Sequence, residues 1–109
     1  MSKPNICLVP TGAIWAAARV FTKSAENKKW KPHGWREGMS YQSLYAKAQR
    51  HLMEWFEGKA ADEDSGANPL YHALCNLMML AHYEEHPEEY GGFDDRPEPI
   101  YNGSEKASL

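Results

Sequence analysis

The stretch from Asn68 to Glu85 limits the possible folds more than any other part of this chain. Asn68 and Pro69 make a good helix start, a side-chain N-cap followed by the residue best tolerated at the first helical position. The pattern stops before Pro87, whose ring disfavours helix in the residue ahead of it. Between these signals Leu70, Ala73, Leu74, Cys75, Leu77, Met78, Met79, Leu80 and Ala81 leave almost no polar side. A helix apolar all round has to be covered all round. One short chain has too few other elements to do that. We therefore expect the helix to sit in a bundle and to pack against another subunit as well.

Two further helical patterns precede it. The first begins after Pro10, with Thr11 or Gly12 near the cap, and runs to about Ala25. Ile14, Ala17, Ala18, Phe21 and Ala25 share one side of it, and small Ala13, Ala16 and Ala17 permit close approach of another helix. The second runs from Ser40, a plausible N-cap, to a stop at Gly58. Its stripe at i, i+3, i+4 and i+7 is Tyr41, Leu44, Tyr45, Ala48, Leu52, Trp55 and Phe56. Ser24 to Ser40 reads as loop, and Glu88 to Leu109, rich in Gly, Pro and acid, as surface-wrapping or disordered tail. The result is one all-α domain over 1–97 with a tail over 98–109.

Composition narrows the class. A length of 109 residues fits one domain. A net charge of -3 argues against a broad electrostatic grip on nucleic acid. No apolar run approaches the roughly 20 residues that cross a bilayer, and no leader pattern is present. Cys7 and Cys75 are too few for a disulfide framework and lack metal-site spacing. The expected setting is the reducing cytoplasm. Four Trp and six Tyr are many for so small a core. Trp15 is assigned to the bundle, whereas Trp30 and Trp35 fall in the basic loop.

Several polar groups could carry chemistry. His72 and Asn76 stack on one face of the third helix, where they either tie it to a loop by hydrogen bonds or point into a site. Arg50, His51, Glu54 and Glu57 lie on the polar side of the second helix and read equally well as a solvated face. Asp62, Glu63 and Asp64, with no neighbouring lysine, would suit a hard cation such as Mg2+ or simply make a soluble turn. Lys23, Lys28, Lys29, Lys31 and Arg36 surround Trp30 and Trp35, a mixture suited to phosphates and a stacked base. The same mixture would suit single-stranded nucleic acid, against which the acidic remainder counts. There is no P-loop, dinucleotide-binding glycine pattern or nucleophile elbow.

Taken in order, Leu8-Val9-Pro10, Ala18-Arg19-Val20, Gly34-Trp35-Arg36-Glu37-Gly38, Arg50-His51-Leu52 with Trp55 and Gly58, Asp62-x-Asp64-Ser65-Gly66, His72-Ala73 with Asn76, and Asp94-Asp95-Arg96-Pro97 form a set. The set resembles the phage dATP/dGTP diphosphohydrolase family, small relatives of the MazG-like all-α nucleotide pyrophosphohydrolases. The resemblance implies a helical bundle completed by oligomerisation as a dimer or tetramer. It also implies Mg2+ or Mn2+, a purine deoxynucleoside triphosphate as substrate, release of pyrophosphate and adjustment of a phage nucleotide pool in an infected host cytoplasm. On that basis Asp62 and Asp64, with Glu54 or Glu57, are expected to hold metal, and Asp62, Asp64 or His72 to serve catalysis. Lys23, Arg36 and Arg50 would then meet phosphates, Trp35 the base, His51 the substrate, and Asn76 the ligand or a group beside it. The chain departs from the family pattern at Ser24 to Lys28, Gly34, Lys59 and Pro69, and shows no plain pair of E-x-x-E and E-x-x-D motifs. Those departures keep open a non-catalytic helical protein that binds a partner or sequesters a nucleotide.

Overall fold

The computed structural model describes residues 2–27 and 30–101, and all their regular structure is helical. Helix α1 is Thr11–Glu26, α2 is Tyr41–Phe56, α3 is Pro69–Glu85 and the short α4 is Pro87–Tyr90. Single 3-10 turns occupy Ile6–Leu8, Gly34–Glu37 and Gly91–Phe93. Lys28, Lys29 and most of the expected tail, 102–109, lie outside the described residues.

The helix starts follow local chemistry where the chain offers it. Ser40 accepts from the amide of Ser43 at the start of α2, and Asn68 accepts from the amide of Leu70 at the start of α3. Gly58 ends α2 with φ +98°, a conformation that side chains with a Cβ rarely adopt. The α1 start is different: Pro10 occupies the cap position and no side chain caps the helix.

α3 packs against both other long helices. Ala16 and Ala17 are buried on α1, and their small size lets Cys75 donate from Sγ to the Ala17 carbonyl at 3.5 Å. Val20, Phe21, Tyr71 and Leu74 complete this seam. α2 and α3 run antiparallel. Tyr41 stacks on Tyr83 at 5.9 Å near one end of the pair, and His51 stacks on His72 at 4.9 Å near the other.

The inward face of α2 is Tyr41, Leu44, Ala48 and His51. This corrects the expected stripe. Tyr45 is 63% exposed and Phe56 83%, with Leu52 and Trp55 also outward, whereas His51, assigned to the polar side, is buried. Trp15, expected in the bundle, is 67% exposed. The stretch read as loop is partly helical, since α1 continues to Glu26 and Gly34–Glu37 forms a turn. The uncovered face of α3 shows Leu77, Met78 and Ala81.

The segment after α3 is more ordered than its composition suggests. Tyr90 is buried and donates to the Arg36 carbonyl at 2.9 Å. Asp95 accepts from the Ser40 hydroxyl and from the amide of Gln42, so a late residue completes the cap of α2. Arg96 forks onto Asp94 through Nε at 2.8 Å and a terminal nitrogen at 2.7 Å, and lies over the Tyr41 ring. No helix among the described residues is long and apolar enough to cross a membrane.

Candidate functional site

The cavity of about 890 Å³ between the three long helices collects most of the polar residues singled out from sequence. Lys23, Trp35, Arg50, His51, Asp62, Asp64, His72 and Asn76 all line it. Trp30, His82, Met79, Cys75, Lys47 and Ser65 line it too. Glu54, Glu57 and Arg36 are outside the lining. Glu54 turns toward Lys59 at 3.3 Å. Glu57 caps α2 and borders an apolar groove of about 460 Å³ with Leu52, Met53, Trp55 and Phe56. Arg36 lies over the Trp35 ring, 5.0 Å from its centroid.

The loop between α2 and α3 is built around Asp62. Its Oδ1 accepts from the amides of Asp64 and Ser65 at 2.9 and 3.0 Å. Burial opposes its ionisation, but those amides and the nearby His72 outweigh burial and hold its pKa below the usual carboxylate value. Ser65 Oγ meets His72 Nε2 at 2.6 Å and accepts from the amide of Ala67. His72, half-buried, is thus tied to the loop. Sequence reasoning missed Ser65 as a site residue, although it stands within the Asp62-x-Asp64-Ser65-Gly66 segment.

The acidic loop is not free of lysine, contrary to expectation. Lys59 Nζ lies 3.5 Å from Glu63. Lys23 Nζ comes within 3.8 Å of where a Cβ on Gly66 would lie, which places its charge at the same loop. Lys59 is a near neighbour in sequence, whereas Lys23 arrives from α1, far away in sequence. Lys59 donates to Glu54 as well, and burial of Glu54 is outweighed chiefly by the Lys59 ammonium, so its pKa falls.

Two atoms stand out for what they lack. His51 Nδ1 is 3.3 Å from Glu54 Oε1 but off the hydrogen-bond direction, and Asn76 Oδ1 has no hydrogen-bond partner either. Leaving a buried acceptor unsatisfied costs about 1–3 kcal/mol. His51 has its pKa lowered, first by burial and then by the neighbouring His72 and Arg50, so it is held neutral. Cys75 is pushed up to about 12 by burial and is an inert thiol of the α1–α3 seam.

The aromatic end of the cavity is more finished. Trp35 meets His82 edge-on at 4.8 Å and its carbonyl accepts from the Tyr83 hydroxyl. Trp30 is half exposed, and Lys47 Nζ lies 5.6 Å from its ring centroid. Either indole could face a planar ring.

Among the described residues no three His, Cys, Asp or Glu side chains converge as a metal cage. Mg2+ often uses only one or two carboxylates together with substrate phosphates. The pair Asp62 and Asp64 on the cavity wall has the donor chemistry for an ion brought in with a triphosphate.

The regular structure of the described residues is helical, and the cavity between the helices brings together cations, carboxylates and aromatic rings. The family model described as dATP/dGTP diphosphohydrolase, N-terminal, matches residues 1–96, and the chain belongs to that family. No curated protein and no solved structure shows a significant match to it.

Proposed function

We propose that this protein hydrolyses a purine deoxynucleoside triphosphate, dGTP or dATP, to the monophosphate and pyrophosphate. The observation that carries the reading is the shared cavity of Lys23, Arg50, Asp62, Asp64, His72 and Asn76, in a chain whose family is named for action on dATP and dGTP. Lys23 and Arg50 neutralise phosphate oxygens. Asp62 and Asp64 would hold Mg2+ or Mn2+, which when bound polarises the phosphoryl group and lowers the pKa of water. Asp64 or His72 accepts the proton released as water adds to the α-phosphorus and pyrophosphate leaves. Ser65 orients His72 through the bond to Nε2. Such an activity would adjust a nucleotide precursor pool, as in phage-infected cytoplasm.

The uncovered Leu77 and Met78 on α3 and the groove between Leu52 and Phe56 on α2 support a second copy of this chain as partner. Sedimentation of the wild type as a dimer or tetramer, and of Phe56→Lys as a monomer, is the expected result. A monomeric wild type removes this part of the reading.

The activity is tested with a nucleotide panel in Mg2+ and in Mn2+, scoring pyrophosphate against orthophosphate. Pyrophosphate from dGTP or dATP is expected. Asp62→Asn keeps an acceptor for the loop amides while removing charge, so it should fold and lose at least tenfold in rate, as should Asp64→Asn. Full activity in the double variant overturns the carboxylate assignment. A second reading, nucleotide sequestration, is favoured by the loop amides already engaging Asp62. It predicts binding with no turnover in the same panel.

A further inference from the structure

The cavity offers two indoles, whereas a nucleoside triphosphate brings one base. Its volume of about 890 Å³ lies near the upper end of the roughly 300–1,000 Å³ of small-molecule sites. Trp35 meets His82 of α3 edge-on at 4.8 Å, and the Arg36 guanidinium lies 5.0 Å from its ring centroid. Trp30 is 47% exposed, and Lys47 of α2 lies 5.6 Å from its ring centroid. Both indoles line the cavity, and each has its own cation beside it. Lys23, Lys47 and Arg50 line it too, and none of the three forms an ion pair among the described residues.

With one base on Trp35, Trp30 is left as an accessible stacking surface with Lys47 at its side. Every base has a π-face, so a second indole takes a second base whatever its identity. Unpaired cations in the same cavity call for phosphates. A ligand that supplies both is a pair of nucleosides joined through a phosphate chain. We propose that this protein binds and hydrolyses a dinucleoside tetraphosphate, two purine nucleosides joined 5′ to 5′, with one base on Trp35 and the other on Trp30. The proposal rests on the nucleotide reading given above and extends it to a second substrate class. Water adds to one α-phosphorus, its proton passes to Asp64 or His72, and the bond from that phosphorus to the bridging oxygen breaks. The products are a nucleoside monophosphate and a nucleoside triphosphate.

The test uses the full chain with Mg2+ and titration calorimetry. The ligands are methylene-bridged analogues of dGTP, of deoxyguanosine tetraphosphate and of bis-deoxyguanosine tetraphosphate. The last two carry the same number of phosphates and differ in the second nucleoside. Wild type should bind the two-base ligand about tenfold more tightly than the one-base tetraphosphate, the scale of one base stacked on an aromatic side chain. Trp30 stands outside both buried clusters, so Trp30→Leu should fold. It should bind both tetraphosphates equally, with the wild-type affinity for the one-base ligand, whereas Trp30→Phe should keep the preference. With the unmodified two-base ligand, the first turnovers should yield monophosphate and triphosphate in equal amounts. Equal wild-type affinities, or a preference that survives in Trp30→Leu, overturns the proposal. So does a Trp30→Leu variant that binds both tetraphosphates more weakly by the same factor, which would put the two indoles on one base. Binding without those products overturns the hydrolysis. Wild type that binds the dGTP analogue without preferring the two-base ligand leaves the nucleotide reading standing. Folded wild type that binds none of the three ligands brings that reading down as well.

Discussion

The antiparallel pair α2 and α3 carries an aromatic contact near each end, and the two ends are finished differently. At one end Tyr41, Tyr83 and Tyr90 are buried, and the hydroxyls of Tyr83 and Tyr90 donate to backbone carbonyls of Trp35 and Arg36. At the other end His51 and His72 stack, yet Nδ1 of His51 and Oδ1 of nearby Asn76 lack hydrogen-bond partners. The tyrosine end holds the connecting loop in place and closes. At the histidine end His51, His72 and Asn76 line a cavity. In one helix pair, the polar groups of one end are satisfied within the fold and two at the other end are not.

Substitutions can break or sharpen this contrast. The largest effect is expected from Tyr83→Ala, which empties a fully buried aromatic position and should lower stability by about 3–5 kcal/mol in urea unfolding. A loss well under 2 kcal/mol would mean that the tyrosine end is no scaffold. Gly38→Ala comes next. Gly38 has φ +98° and an added Cβ would overlap the Phe93 ring, so about 1–3 kcal/mol should go to strain and overpacking. Ser40→Ala removes the α2 cap and the partner of Asp95, for about 1 kcal/mol. Ser40→Ala, whose partners lie outside the cavity lining, should leave the relative preference among nucleotides unchanged, as measured by competition binding.

The smallest effect lies at the histidine end and concerns pH. The folded pKa of His51 is lowered, so the unfolded chain takes up its proton first. The His51 contribution is therefore intact above about pH 6.5 and is lost as pH falls below that value. Urea unfolding at pH 7.5 and pH 5.5 should show wild type losing stability on acidification and His51→Leu losing less. Equal losses would show that His51 is not held neutral in the fold.

How much of this was legible depended on how local the cause was. The starts of α2 and α3 were readable from Ser40 and from Asn68-Pro69 because a cap acts on amides two or three residues away. The seam at Ala16 and Ala17 was readable from side-chain size. The face of α2 was not, because α2 has two apolar sides. Periodicity shows that both exist, but only contact with α3 selects Tyr41, Leu44, Ala48 and His51 and leaves Trp55 and Phe56 outside. Spacing joined His72 to Asn76 on one helix face. It could not bring Lys23 to the Asp62 loop or Asp95 to Ser40, since those meetings depend on how the chain returns upon itself.

The Asp95 clasp also bears on the order in which the molecule can be completed. The bond from Ser40 to Asp95 joins residues 55 apart. During synthesis from the N-terminus, the α1–α3 seam has all its residues once Cys75 has emerged, whereas the front of α2 waits for Tyr90 and Asp95. A nascent chain that pauses before Tyr83 would hold most of the cavity lining with the loop bearing Trp35 still untethered. The last residues to join the fold are thus the latch on its first-made aromatic wall.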